Sequence, residues 1–116
     1  MEYNKHLSEP WFSLIKLGLK RCEGRLNKKD FAKMKKGDKI IFTNNDFDFE
    51  RKISVKITSI HKYDTFKKYL EKETLERCLP GIDSLNNGEK IYYKYYSKED
   101  ESKFKIIAIR FLKIKN

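Results

Sequence analysis

Lys20, Glu23 and Arg25 set an ammonium, a carboxylate and a guanidinium close together, directly after an apolar segment that stops at Gly18. Charged groups placed where a rigid element ends keep a fixed relation to one another, which a loose loop does not provide. Two kinds of chemistry are open to such a trio. In a hydrolysis, Glu23 orients or deprotonates a water while Lys20 or Arg25 stabilises the developing negative charge. In recognition, Glu23 accepts from the exocyclic amine of a flipped or single-stranded base such as cytosine, and a cation pairs with a carbonyl or phosphate. Asn27, Lys28 and Lys29 follow at once as candidates for flanking phosphates, and Trp11, Tyr92 or Tyr95 offers a ring on which a base could stack. A structural reading competes with both: an ion network that pins the first helix to the rest of the fold. Exposed pairs contribute only about 0–1 kcal/mol, so stability alone is a weak reason to gather three such groups. Trp11, Tyr92 and Tyr96, at helical spacing, also read as inward-packing anchors.

The elements that must position these residues follow from pattern. Tyr3 to Leu7 reads as a short opening strand. Ser8 and Pro10 start a helix, with Ser8 as cap, that carries Phe12, Ile15 and Leu19 on one face and is stopped by Gly18. Lys20 to Leu26 alternates as a strand that puts Glu23 and Arg25 on one face and Cys22 with Gly24 on the other. A basic helical turn, Asn27 to Lys35, is anchored by Phe31 and Met34. Gly37-Asp38 then turns the chain into the strand Lys39 to Thr43. After a connection at Asn44 to Phe49, Ile53, Val55 and Ile57 alternate with Ser54, Lys56 and Thr58 in a half-buried strand. Ile60 breaks the alternation and suggests a bulge before His61. One helix capped by Asp64 or Thr65 continues toward Leu79 and ends at Pro80-Gly81. A further helix, capped by Asp83 or Ser84, runs through Tyr96, although Asn87-Gly88 is also compatible with a hairpin turn. Lys103 to Ile114 is the last strand, apolar on both faces near Ile106 to Ile109 and therefore central. Five or six short strands with helices in the connections make an α+β or barrel-like fold.

The chain's 116 residues form one domain, 1–116, with 39% apolar residues, eight Phe and seven Tyr to fill a single modest core. Its 27 Lys and Arg against 17 Asp and Glu give a net charge of +10, which attracts polyanions, nucleic acid first among them. A lysine-rich composition, with pairs at 28–29, 35–36 and 67–68, is the alternative source of that charge. Cys22 and Cys78 lack zinc-site spacing, and His6 and His61 are isolated, so neither metal nor other cofactor is expected. No apolar run approaches the roughly 18 residues that cross a bilayer, and the N-terminal residues carry no secretory apolar region. The expectation is an intracellular, cytoplasmic protein with reduced, buried thiols and no membrane partner.

The stretch Gly18-x-Lys20-x-x-Glu23-x-Arg25, preceded by Pro10-Trp11 and Leu14-Ile15, resembles the signature of ASCH domains. Lys36-Gly37-Asp38 before a strand, Tyr63-Asp-Thr-Phe66 opening a helix, Leu79-Pro80-Gly81, and the strand Ile106-Ile-Ala-Ile109 occur in the same order, so the resemblance spans nearly the whole chain. It implies a PUA-like small β-barrel of five or six strands with flanking helices, and a cleft lined by Lys20, Glu23 and Arg25. It also implies an RNA-related role, through binding of RNA or a modified nucleoside. Some ASCH proteins hydrolyse N4-acetylcytidine with a Lys, a Thr and a later Glu. Lys20 matches that Lys, Glu23 stands at the Thr position, and the later Glu falls near Glu71 or Glu73. A catalytic set of Lys20, Glu23 and Glu73 is thus the enzymatic alternative, with Glu23 as base. A protein-interaction module is the third.

Overall fold

The computed structural model describes residues 1–114. In chain order these form β1 (Glu2–His6), α1 (Trp11–Lys16), β2 (Cys22–Leu26), α2 (Lys29–Lys33), β3 (Lys39–Asn44), β4 (Arg51–Tyr63), α3 (Phe66–Glu73), α4 (Leu75–Cys78), α5 (Leu85–Tyr93), α6 (Lys98–Phe104) and β5 (Ile106–Lys113). The five strands build one sheet in the order β1-β3-β4-β5-β2, parallel only between β1 and β3. The sheet curls into a half-barrel with the helices around it, the α+β arrangement of a small PUA-like barrel.

Side-chain alternation explains why this sheet has two apolar faces. Ile107, Ile109 and Phe111 of β5 join Phe12, Ile15, Ile40, Phe42, Val55 and Ile57 in one buried cluster. Ile106 and Ala108, pointing the other way, join Cys22, Leu26, Phe66, Tyr69, Leu70 and Cys78 in a second. β5 therefore runs between β4 and β2 with both faces buried, as its sequence required. The long strand β4 serves the same two clusters by bending. Ile57 faces Phe111 and Ser59 faces Arg110, so Thr58 is the extra residue of a bulge. The break lies two residues earlier than the sequence pattern placed it, and pairing resumes through Tyr63.

Several local expectations are corrected. Ser8 does not cap α1 through its side chain; Glu9 accepts instead from the Ser13 backbone N–H at 2.8 Å and from its hydroxyl. Gly18 does stop the segment, with φ +79°, and so Leu19 lies past the stop and is exposed rather than on the buried face. β2 starts at Cys22 rather than Lys20. The helix after Thr65 breaks at Thr74, a non-glycine residue with φ +76° whose hydroxyl caps α4 by accepting from the Arg77 N–H. Asn87-Gly88 lies within the expected helix rather than in a hairpin, and that helix ends at Tyr93 instead of Tyr96. Its glycine lets α5 lie against α3 and α4, because a Cβ there would stand 2.9 Å from both Leu70 and Leu75. α6, capped by Ser97, occupies Lys98–Phe104, so the last strand begins at Ile106 instead of Lys103.

The second cluster orients the helix that faces β2. Phe66 stacks on Tyr92 at 4.6 Å between ring centroids and on Tyr96 at 5.5 Å, with Tyr93 edge-on. Such pairs contribute about 0.5–1.5 kcal/mol each beyond simple burial. They fix the C-terminal end of α5 opposite Glu23 and Arg25.

Candidate functional site

β1 and β2 are the two ends of the curled sheet and do not pair with each other. The seam between them is spanned by a side chain: Arg25 Nη2 donates to the His6 carbonyl at 3.3 Å. A cavity of about 290 Å³ opens at this seam. His6 and Leu7 line it from the β1 side, Trp11 from α1, Lys20, Glu23 and Arg25 from β2 and its approach, Tyr92 from α5, and Leu79 and Tyr95 from just past the ends of α4 and α5.

Alternation along β2 turns Glu23 and Arg25 toward this cavity, while Cys22 and Leu26 enter the second cluster. Gly24 lies against the Tyr69 ring so closely that a Cβ would stand 2.4 Å from it. Lys20 leaves the left-handed Gly18 turn with its backbone N–H on the Leu14 carbonyl at 3.1 Å. Its ammonium is 1% exposed and reaches the Cys22 carbonyl at 2.7 Å, the Cys78 carbonyl at 2.5 Å and Glu23 Oε1 at 3.1 Å. Three N–H donors thus meet three acceptors. Arg25 Nε donates to Glu23 Oε2 at 2.9 Å, so each carboxylate oxygen holds one cation and keeps lone-pair capacity for another donor.

Burial by itself pushes the Glu23 carboxyl up, but the charges of Lys20 and Arg25 and their hydrogen bonds outweigh it, holding Glu23 below the usual carboxylate value. Burial would likewise lower Arg25, and the Glu23 charge reverses that, leaving the guanidinium more firmly protonated. Burial raises the Tyr96 hydroxyl, although Arg25 beside it pulls the other way. Chemically, the site offers a fixed, ionised acceptor next to a fork of donors inside a largely apolar and aromatic wall. A proton acceptor for catalysis near neutral pH needs the opposite shift, toward the working pH.

The sequence-derived residues are only partly brought together. Trp11, Lys20, Glu23 and Arg25 share the cavity, with Lys20 Nζ 5.9 Å from the Trp11 ring centroid. Glu73 does not line it. That carboxylate is fully buried against Arg110, with Nε–Oε1 at 2.7 Å and Nη2–Oε2 at 3.1 Å, and it also accepts from Tyr63 and from the Cys22 thiol. Arg110, Tyr63 and Cys22, which hold Glu73, do not line the cavity either. Glu71 is exposed on α3 and is not among the lining residues either. Asn27 lies outside the cavity, its backbone N–H on the Lys105 carbonyl at 2.9 Å. Lys28 lines a second, adjoining cavity of about 220 Å³ together with Lys5, Arg25, Leu26, Lys29, Phe31 and Tyr96. The β1 contribution, His6 and Leu7, was not foreseen, because nothing in one strand's sequence says which strand end it will face. Tyr96, read as an inward anchor, also lines both cavities.

Cys22 and Cys78 are free and buried. Among the described residues, no group of three or more His, Cys, Asp or Glu side chains is placed to hold a metal ion, and no helix is long and apolar enough to cross a membrane.

The family model of the ASCH domain matches residues 6–115. Among solved structures, the crystal structure of hypothetical protein PH0355 is 38% identical, with a TM-score of 0.88 over 98% of this chain and 100% of its own. The solution structure of protein PF0455 from Pyrococcus furiosus is 34% identical, with a TM-score of 0.80 over the whole of both chains. No curated protein matches the chain.

Proposed function

The chain belongs to the ASCH domain family, and from that premise we propose that it binds single-stranded RNA or a modified nucleoside by taking one base into the seam cavity. Family membership supports an RNA-binding role and nothing finer. The observation that carries the finer reading is the Glu23 carboxylate, buried and held ionised between Lys20 and Arg25 with acceptor capacity left over. Glu23 accepts from an exocyclic amine, and Arg25 donates to the ring nitrogen or carbonyl beside it, a pairing that suits the edge of cytosine. Trp11 or the exposed Tyr95 stacks on the base. At about 290 Å³ the cavity sits at the small end of ligand pockets, which run from roughly 300 to 1,000 Å³, a size suited to a base or nucleoside.

The enzymatic alternative draws less support from the same geometry. Lys20 has each N–H engaged, Glu23 is a weakened base, and Glu73 is bound elsewhere. The test is fluorescence anisotropy with short labelled RNAs of differing base composition. We expect measurable affinity at low salt, and a Glu23→Gln variant that loses base preference more than affinity. N4-acetylcytidine should release no acetate. Undetectable affinity at low salt would remove the binding reading, and acetate release that depends on Glu23 would replace it with hydrolysis.

A further inference from the structure

We infer that the second seam cavity is a phosphate subsite, and hence that the ligand is a nucleotide within a strand rather than a free nucleoside. This rests on the reading of the first cavity as a base site. Four of the seven lining residues are cationic (Lys5, Arg25, Lys28 and Lys29) and none is acidic. Three of the four are braced: Lys5 Nζ and Arg25 Cζ stand 4.9 and 5.0 Å from the centroid of the Phe31 ring, and Lys28 Nζ stands 4.8 Å from that of Phe104. Side chains held in this way lose less freedom when an anion arrives. Asp30 answers Lys5 at 2.9 Å and Glu23 answers Arg25, whereas Lys28 and Lys29 have no carboxylate partner among the described residues.

Backbone geometry points to the same place. Lys29 adopts φ +52°, a left-handed conformation uncommon for a residue with a side chain. Such strain collects at ligand clamps, and Lys28 and Lys29 both line this cavity. The two cavities share part of their walls. His6 and Lys5, neighbours on β1, line the first and the second respectively, and Arg25 and Tyr96 belong to both. A strand whose base enters the first cavity therefore has its backbone beside the second.

The experiment uses a fluorescein-labelled single-stranded oligocytidylate, with unlabelled cytidine as competitor, across a salt series. The Lys28→Ala/Lys29→Ala double variant is compared with Lys67→Ala/Lys68→Ala, which removes two exposed charges from α3. The seam variant should bind at least about tenfold more weakly, and its slope of log affinity against log salt should shrink by roughly 0.7 for each phosphate that is no longer neutralised. Displacement by cytidine should persist. Equal losses in both double variants, or an unchanged salt slope in the seam variant, would overturn the phosphate subsite. Failure of cytidine to compete, together with unchanged base preference in Glu23→Gln, would overturn the base site while the salt slope reported separately on the phosphate backbone. A wild-type protein that ignores the oligomer altogether overturns both.

Discussion

Replacing Glu23 by Gln keeps the shape of the side chain and removes the one anion that, among the described residues, pairs with Lys20 and Arg25. The two cations respond differently. Arg25 is 21% exposed and can turn toward water, but Lys20 is 1% exposed and cannot. Breaking a buried pair by removing one partner costs about 3–5 kcal/mol, mostly because a charge is left uncompensated. Lys20 keeps two carbonyl acceptors, which argues for the lower end, about 3 kcal/mol. With a urea dependence of about 1–3 kcal/mol per molar for a small domain, the unfolding midpoint should fall by about 1–3 M at unchanged slope. Equilibrium urea denaturation measures this directly. Glu50→Gln supplies the comparison, since its pair with Lys52 is more than half exposed on both sides and such pairs contribute about 0–1 kcal/mol. Adding Lys20→Met to Glu23→Gln should recover part of the loss, because the stranded charge is then gone. A Glu23→Gln midpoint indistinguishable from that of Glu50→Gln would refute the claim that the trio is one coupled, desolvated unit.

Three further outcomes are expected. Glu23, Glu73 and Glu9 all have folded-state values below the ordinary 4.5. Their stabilisation is therefore complete above about pH 4.5 and is lost as pH falls through the folded values; urea midpoints measured from pH 8 down to pH 3 should fall only on the acid side, and the gap between wild type and Glu23→Gln should narrow there. In a His6→Gln background, because His6 also lines the cavity, base recognition should be flat from pH 5 to 8, and an affinity that still titrates near neutrality there would contradict an ionised Glu23. Gly24→Ala drives a methyl group to 2.4 Å from the fully buried Tyr69 ring and should cost about 1–3 kcal/mol, with an unchanged midpoint as the refuting result. Glu73→Gln, which loosens the pair with an Arg110 that is 35% exposed and can turn toward water, should destabilise by about 1–2 kcal/mol, less than Glu23→Gln, and leave RNA affinity unchanged at temperatures where the variant is folded. A selective loss of binding in a stable variant would return Glu73 to the site.

The part of the site that could be read in advance rested on short-range rules. A period of two puts Glu23 and Arg25 on one side of a strand wherever that strand lies, and a glycine at φ +79° ends the helix before Lys20. The apolar run Ile106 to Ile109 demanded burial on both faces, and β5 has it. What escaped the sequence depends on partners far along the chain. Glu101 accepts from the Phe66 N–H and the Tyr93 hydroxyl, so α6 is moored by a carboxylate and shows no apolar stripe. Its cap, Ser97 with Asp100 three residues on, was the available signal. Lysine is rarely buried without a partner, and the burial of Lys20 depends on carbonyls at Cys22 and Cys78 as well as on Glu23. The role of Glu73 was inferred from order along the chain, and it fails to join the cavity because its strand-facing side meets Arg110 instead.

A closed barrel is held shut by a full ladder of backbone bonds; here the last rung is a lone guanidinium. Prying Arg25 away from the His6 carbonyl forfeits one hydrogen bond of 3.3 Å, a net loss of about 0.5–1.5 kcal/mol. The domain is in this respect a clasp rather than a cup. Residues of both free edges line the gap, so a ligand bound there as proposed would take the place of the missing rung. If the seam is occupied as proposed, the β1–β3 pairing should tighten, and slower amide exchange at Glu2–His6 on adding RNA would register it, whereas unchanged exchange would refute it.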